Sequence, residues 1–228
     1  MIYLVTVAYK EFYRDKTKKL ISSVNEFLPS AKIFILTDDT SYYDGYENVV
    51  AVQGPPCDFN PYFKANIKAF SLEAIASLVE NDDFVLYLDS DCYFIKEFPQ
   101  PLDQYVEYGL STHISDSDIQ MVVPADILNR AIRNKILSIN PNEDHRYYVF
   151  REGFLLFKVD DAFRRFITEW KNIYYEIENQ GLTHANQTFD IQNAALRAGL
   201  PINNISKPSP LRGTTVTVAV SGGVNCLV

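Results

Sequence analysis

The chain contains blocks in which apolar residues either follow one another directly or recur at helical spacing. Residues 2–8 and 32–37 are nearly continuous apolar runs, which predict strands that are buried on both faces. Between them, apolar residues recur with helical periodicity from about Asp15 to Phe27, and Pro29 marks the end of that helix. Because strand, helix and strand follow one another, the two strands are expected to be parallel. The pattern therefore predicts an α/β fold with a mostly parallel central sheet flanked by helices.

The remaining sequence continues this succession of apolar runs and helical periodicity. It predicts further strands at residues 49–52, 84–88, 109–114, 119–123, 147–150, 154–159, 202–205 and 215–220. It also predicts helices at about residues 61–79, 125–137, 161–178 and 187–197. No internal repeat, low-complexity tract or Gly/Ser/Pro-rich linker divides the sequence. We therefore predict a single domain over residues 1–228.

The apolar run Phe84–Leu88 is followed directly by Asp89, Ser90 and Asp91. Side chains alternate along a strand, so we expect the two carboxylates to share one side and Ser90 to face the other. Carboxylate oxygens suit a hard divalent cation. In open α/β sheets, ligands bind outside the carboxyl ends of the strands. The sequence therefore predicts a metal site at the end of this strand; the alternative is an acidic turn that caps a core strand.

The composition excludes several classes of protein. Hydrophobic residues make up 47% of the chain and charged residues 22%, which is typical of globular proteins. The 29 acidic and 21 basic residues give a net charge of −8, which argues against nucleic acid as the main partner. The odd set Cys57, Cys92 and Cys226 matches no metal-ligand spacing, so a reducing, cytoplasmic location is expected. No apolar run has membrane-spanning length, so any membrane contact is expected to be peripheral.

Several features resemble the GT-A type nucleotide-sugar glycosyltransferases, including a strand at the first residues and an Asp that closes the second strand. The apolar strand that ends in Asp89–Asp91 resembles their Asp-x-Asp element, which is the specific part of the resemblance. Glu152–Phe157 is similar to the Gly-led strand beneath their acceptor, and Asp190–Leu196 is similar to their Asp-Gln helix start. The resemblance covers roughly residues 2–208. It implies a single, Rossmann-like GT-A domain that transfers a sugar from a nucleoside-diphosphate sugar, by family prevalence a UDP-sugar, to a hydroxyl acceptor such as a glycan.

The resemblance also implies roles in donor binding. Asp91 would bind Mn²⁺ or Mg²⁺ directly, and Asp89 would bind the metal or the ribose; the cation would neutralise charge on the leaving diphosphate. Lys68 would reach the diphosphate or the sugar, unless it is a solvated helix lysine. Asp38 would contact the base or ribose, unless it only forms a loop. The other implied donor contacts are Thr6, Val7, Ala8 and Tyr9, with Tyr9 as a stacking ring, and Ser90, Gly153, Gln192 and Lys207.

Two carboxylates are candidates for the general base that accepts a proton from the acceptor hydroxyl. Asp190 could act as that base or orient hydroxyl groups, and a helix N-cap is its structural alternative. Glu152 is the rival carboxylate. The family histidine that completes the metal shell is missing near Lys207, so water or donor phosphates are expected to complete it. Inversion and retention of the sugar configuration both stay open.

Two other functions compete with sugar transfer. A phosphatase of the haloacid dehalogenase type also carries Asp-x-Asp after an apolar strand. However, its motif normally follows the first strand, and Tyr93 stands where that class has Thr or Val. The second alternative is a sugar-nucleotide or glycan-binding domain without turnover.

Overall fold

The computed structural model describes residues 1–56, 61–95, 97, 101, 106, 110–112, 120–121, 146–147, 153–179, 187–204, 217–219 and 225–227. The elements of its first half are β1 (Ile2–Ala8), α1 (Lys10–Phe27), β2 (Lys32–Thr37), a 3-10 helix (Thr40–Tyr43), β3 (Val49–Gln53), α2 (Pro61–Ala76), β4 (Phe84–Leu88) and β5 (Leu110–Thr112). They are followed by β6 (Gln120–Met121), β7 (Arg146–Tyr147), β8 (Phe154–Lys158), α3 (Asp161–Glu178), α4 (Gln187–Ala198), β9 (Ile202–Asn204), β10 (Thr217–Ala219) and β11 (Asn225–Leu227).

Seven strands form the main sheet of the described residues, in the order β3-β2-β1-β4-β8-β5-β9. β1 lies parallel to both β2 and β4, and β2 lies parallel to β3. β8 runs antiparallel to its two neighbours, β4 and β5, whereas β5 and β9 are again parallel. The α/β fold with a mostly parallel sheet, predicted from the sequence, is therefore confirmed.

Helices cover both faces of this sheet. On one face, Leu20 and Val24 of α1 belong to the same buried cluster as Leu86 of β4. On the other face, Val85 of β4 belongs to a cluster that includes the fully buried Trp170 of α3. Consecutive residues of β4 thus alternate between two apolar layers, which explains why the strand is an uninterrupted apolar run. Burial of each such large side chain contributes roughly 1.5–3 kcal/mol.

Helix α1 begins at Lys10, earlier than the Asp15 predicted from periodicity. Lys10 has a φ of 65°, in the left-handed region that side chains other than glycine seldom adopt. Its N–H donates to Asp38 Oδ2 at 2.9 Å, and Arg14 donates to Asp38 Oδ1 at 2.5 Å. Contacts with the end of β2 therefore hold this first turn, in which Phe12 is exposed and does not mark the side of the helix that faces the core.

Other boundaries differ little from the predictions. Helix α2 ends at Ala76 rather than at Val79, because residues 77–78 form a turn. The helix predicted at residues 125–137 lies outside the described residues. Of the strands predicted at residues 109–114 and 119–123, the structure describes Leu110–Thr112 (β5) and Gln120–Met121 (β6).

The antiparallel strand β8 brings a distant part of the chain to the end of β4. Leu88 of β4 pairs with Phe154 of β8. One residue further, the Asp89 N–H donates to the carbonyl of Gly153 at 3.1 Å. The start of the Gly-led strand is thus held directly against the Asp-x-Asp turn.

Candidate active site

The candidate site lies at the edge of the sheet where β1, β2 and β4 end. Because these strands are parallel, Tyr9, Asp38 and Asp89, which directly follow them, come to the same edge. The chain proceeds from β1 to β2 on one side and reaches β4 on the other. This reversal of strand order is the topological switch point at which open α/β sheets bind their ligands.

Asp89 is held through one of its two carboxylate oxygens. Lys68 Nζ of α2 lies 2.9 Å from Asp89 Oδ1, and the Tyr87 hydroxyl donates to the same oxygen at 3.1 Å. The Lys68 side chain is 7% exposed and that of Asp89 is 37% exposed. The structure therefore brings two of the predicted site residues, Lys68 and Asp89, into direct contact. A solvated helix lysine, the alternative for Lys68, is excluded by its burial.

Tyr87 is a site residue that sequence analysis missed. Burial, followed by the charge and hydrogen bond of Asp89, raises the pKa of the Tyr87 hydroxyl well above its ordinary value. The hydroxyl therefore stays protonated and donates to the carboxylate. The signal was available, because residues i and i+2 of a strand face the same side. Tyr87 was instead counted among the apolar residues of the strand.

Asp91 lies in a turn rather than on an extended strand. β4 ends before Asp89, and the Cys92 N–H donates to the Asp89 carbonyl at 2.9 Å. The side-chain alternation expected from an extended strand therefore does not apply to Asp91. Partial burial and then the charge of Asp89 raise the pKa of Asp91, while Lys16 and Lys68 act in the opposite direction. The two carboxylates thus repel each other, and lysines from both faces of the sheet offset that repulsion.

Gly153 keeps space open beside the second oxygen of Asp89. A Cβ atom added to Gly153 would lie 2.6 Å from Asp89 Oδ2 and 3.2 Å from its Cγ. Both distances are too short for an ordinary contact. A side chain at position 153 would therefore displace the Asp89 carboxylate or cover its Oδ2, so glycine leaves room for that carboxylate in its present position.

The donor set at this edge fits a divalent cation. Asp89 and Asp91 supply carboxylate oxygens, which Mg²⁺ and Mn²⁺ prefer, and the repulsion between the two carboxylates favours a cation near them. In the part of the chain that the structure describes, no three or more His, Cys, Asp or Glu side chains are arranged so that together they could hold a metal ion. Further ligands would then be water or phosphate oxygens, as is usual for Mg²⁺ bound by one or two carboxylates.

The predicted nucleotide segment Thr6–Tyr9 is largely buried. Thr6 and Ala8 are completely buried within β1, and Val7 packs partly buried against the core. Tyr9 is 4% exposed, and its hydroxyl donates to the carbonyl of Pro55 at 3.0 Å. Only Tyr9 follows the end of β1, and contact of these four residues with a nucleotide stays a prediction.

Asp38 ties the end of β2 to the first turn of α1. Its oxygens accept from the Lys10 N–H and from the Arg14 guanidinium. Partial burial opposes ionisation of Asp38, but these two donors outweigh it and hold the pKa of its carboxyl below the ordinary value. Asp38 therefore has a structural role in the turn, in addition to its predicted contact with the nucleotide.

Replacing Asp38 with asparagine is expected to lower the free energy of unfolding at neutral pH by about 1 kcal/mol. This is below the usual range for hydrogen bonds to a charged group, because solvent screens a carboxylate that is 33% exposed. The pKa of Asp38 is lower in the folded chain than in the unfolded chain. Its stabilisation is therefore complete above the unfolded pKa of about 3.9 and is lost as pH falls through the folded pKa.

Urea unfolding of the wild type and Asp38→Asn, from about pH 7 to about pH 2, measures this stabilisation. The difference in unfolding free energy should shrink in acid. The exposed Asp44 of the following loop provides the control, since Asp44→Asn should change stability by less than about 0.5 kcal/mol throughout. A difference for Asp38→Asn that persists undiminished in acid would contradict this assignment.

The remaining predicted residues are placed only in part. Asp190 is fully buried in the first turn of α4, whose first residue is Gln187, so Asp190 is not the N-cap of that helix. Gln192, on the same helix, and Ser90, in the Asp-x-Asp turn, are also buried. The predicted residues Glu152 and Lys207 lie outside the described residues.

No family model and no curated protein matches this chain. Solved structures do match. The chain is similar to the crystal structure of the galactosyltransferase LgtC in complex with donor and acceptor sugar analogs, at 16% identity and a TM-score of 0.52 over 90% of this chain and 74% of that chain. An active site mutant of LgtC matches at 16% identity and a TM-score of 0.53, over 90% of this chain and 73% of that chain.

The chain has a GT-A type fold. The GT-A type fold that the resemblance implied is thereby confirmed, and an identity of 16% shows the fold alone. Within the described residues, no helix combines the length and the apolar character needed to cross a membrane.

Proposed function

We propose that this protein is a metal-dependent glycosyltransferase that transfers a sugar from a nucleoside-diphosphate sugar, specifically a UDP-sugar, to a hydroxyl acceptor such as a glycan. The main support is the Asp89 carboxylate, which Lys68 and Tyr87 hold at the carboxyl edge of a GT-A type sheet close to Asp91. LgtC, which has a similar fold, was solved with donor and acceptor sugar analogs. The proposal includes a cytoplasmic location and no nucleic-acid partner.

In this proposal Asp89 and Asp91 hold Mn²⁺ or Mg²⁺. When bound, the cation would act as a Lewis acid and neutralise negative charge on the leaving diphosphate. Lys68 adds a positive charge that its burial keeps within the site. Such preorganised charge is effective in catalysis because it needs little rearrangement as the leaving group becomes more negative. Lys207 stays the predicted second phosphate contact.

Asp190 and Glu152 stay the proposed acceptor-side carboxylates. The complete burial of Asp190 favours a role in positioning hydroxyl groups or neighbouring side chains over direct proton transfer. Glu152 directly precedes Gly153 in the sequence and stays the rival candidate for the general base.

The phosphatase alternative is not favoured. Its Asp-x-Asp motif belongs after the first strand, whereas here the motif follows β4. The fold is also similar to galactosyltransferase structures. A sugar-nucleotide-binding domain without turnover would use the same donor site. Only the absence of sugar transfer would distinguish it from the transferase.

Calorimetric titration with UDP tests the proposal. UDP is expected to bind in the presence of Mn²⁺ and to lose at least about tenfold in affinity with EDTA, because a cation held by Asp89 and Asp91 would supply positive charge to the diphosphate. Nucleotide sugars can then be screened by thermal shift, since a bound donor adds RT ln(1 + [L]/Kd) to stability.

Equal UDP affinity with Mn²⁺ and with EDTA would remove the metal from the proposal. Hydrolysis of p-nitrophenyl phosphate that Asp89→Asn abolishes would favour the phosphatase. Donor binding without any transfer or donor hydrolysis would favour the binding domain.

A further inference from the structure

Lys68 is a buried lysine whose ammonium group faces the candidate metal site. Its side chain is 7% exposed, and Nζ lies 2.9 Å from Asp89 Oδ1. Nζ also lies 5.1 Å from the centre of the Tyr87 ring, an arrangement that favours a cation. A buried ammonium group is costly without a counter-charge. The pairing with Asp89 therefore offsets the cost of burying both charges.

The helix restricts how far the Lys68 ammonium group can move. Lys68 lies between Ile67 and Ala69, which are both buried in the core cluster together with Leu72. Because the Lys68 side chain is itself almost completely buried, its ammonium group has little access to bulk water. A ligand that displaces Lys68 from Asp89 therefore leaves a positive charge within the site.

The net charge of the group formed by Asp89, Asp91 and Lys68 changes sign when a divalent cation binds. The carboxylates of Asp89 and Asp91 and the ammonium group of Lys68 together carry one net negative charge. A divalent cation converts this to one net positive charge and repels Lys68. A diphosphate supplies the negative charge that the cation and Lys68 then both require.

We propose that Lys68 is a built-in counter-ion of Asp89 that weakens binding of the free divalent cation and strengthens binding of the cation together with a diphosphate. This inference rests on the proposed function and adds the coupling between its two ligands. In the absence of a diphosphate, Lys68 competes with the cation for Asp89. Once the cation has displaced it, the ammonium group can donate to a phosphate oxygen. The resulting coupling is reciprocal, so the diphosphate also binds more tightly when the cation is present.

The test measures Mn²⁺ binding to the full chain by calorimetry or by electron paramagnetic resonance of free Mn²⁺, without UDP and with saturating UDP. Lys68→Met keeps an unbranched apolar stem and removes the charge. Mn²⁺ alone is expected to bind this variant about tenfold more tightly, because a repelling charge is lost. The factor by which UDP strengthens Mn²⁺ binding is expected to fall at least about tenfold, because a charge-assisted hydrogen bond to phosphate is also lost.

Lys68→Gln serves as a second neutral variant, which can still donate a hydrogen bond to Asp89, and should change both quantities in the same directions. Lys171→Met is the matched control, because Lys171 forms a comparable pair with Glu73 between α3 and α2 and should leave both quantities unchanged. Unchanged or weaker binding of Mn²⁺ alone to folded Lys68→Met and Lys68→Gln would overturn the inference and leave the proposed function intact. A wild-type chain that binds no Mn²⁺ in the presence of UDP would overturn the proposed function itself.

Discussion

Asp91→Asn is expected to weaken metal-dependent UDP binding by about 100-fold or more, which exceeds the effect usual for groups that only support a metal ligand. Asparagine keeps the shape of the side chain but removes one of the two carboxylate charges at the end of β4. Because the described residues offer no group of three metal-binding side chains, few other ligands could compensate. Sugar transfer should decline together with donor binding.

The same substitution should not lower the unfolding temperature of the ligand-free protein. Partial burial and the charge of Asp89 raise the pKa of Asp91, so the folded chain disfavours its ionised form. A neutral residue relieves that repulsion, as is common where function requires charges that stability does not. Calorimetry with Mn²⁺ and UDP, combined with thermal unfolding, measures both effects.

Glu47→Gln removes an exposed carboxylate just before β3, at the opposite edge of the sheet, and provides the control. It should bind Mn²⁺ and UDP like the wild type. Unchanged metal-dependent UDP binding in Asp91→Asn would overturn the central assignment. A loss of binding accompanied by a lower unfolding temperature would instead indicate damage to the fold.

The sequence predicted the central elements of the fold closely because their signals are local. β1, β2, β4 and α3 have the bounds expected from their apolar patterns. A strand buried on both faces must be continuously apolar, and a helix on a sheet must carry an apolar stripe, so each pattern reports its own environment. The start of α1 was missed because its first turn depends on Asp38, which lies in another element.

The candidate site was predicted as a location, but its internal contacts were not. Strand order places Asp38 and Asp89 at one edge, and this follows from parallel strands alone. The pairing of Lys68 with Asp89 depends on how α2 packs across the sheet, and the contact of Gly153 with Asp89 depends on the antiparallel register of β8. Such long-range geometry leaves no periodic signal in the sequence. For the same reason, the burial of Asp190 could not be predicted from its position at a helix start.

Gly153→Ala is expected to weaken metal-dependent UDP binding by roughly 10- to 100-fold, the range typical of losing a group that orients a metal ligand. The new Cβ would lie 2.6 Å from Asp89 Oδ2. Asp89 cannot turn away without loss, because Lys68 and Tyr87 hold its other oxygen. The carboxylate must therefore break these contacts or remain with its Oδ2 covered. Crowding of this kind should also lower the free energy of unfolding by about 1–3 kcal/mol.

Gly199→Ala is the matched control for this loss of stability. Gly199 has a φ of 67° and nothing within 4 Å of an added Cβ, so alanine there strains the backbone without crowding a side chain. That strain should cost about 1–2 kcal/mol and leave Mn²⁺ and UDP binding unchanged. If Gly153→Ala lost stability like Gly199→Ala but bound Mn²⁺ and UDP like the wild type, Oδ2 of Asp89 would not be a ligand atom. That result would leave Oδ1, from which the cation must first displace Lys68, as the atom through which Asp89 binds the cation beside Asp91.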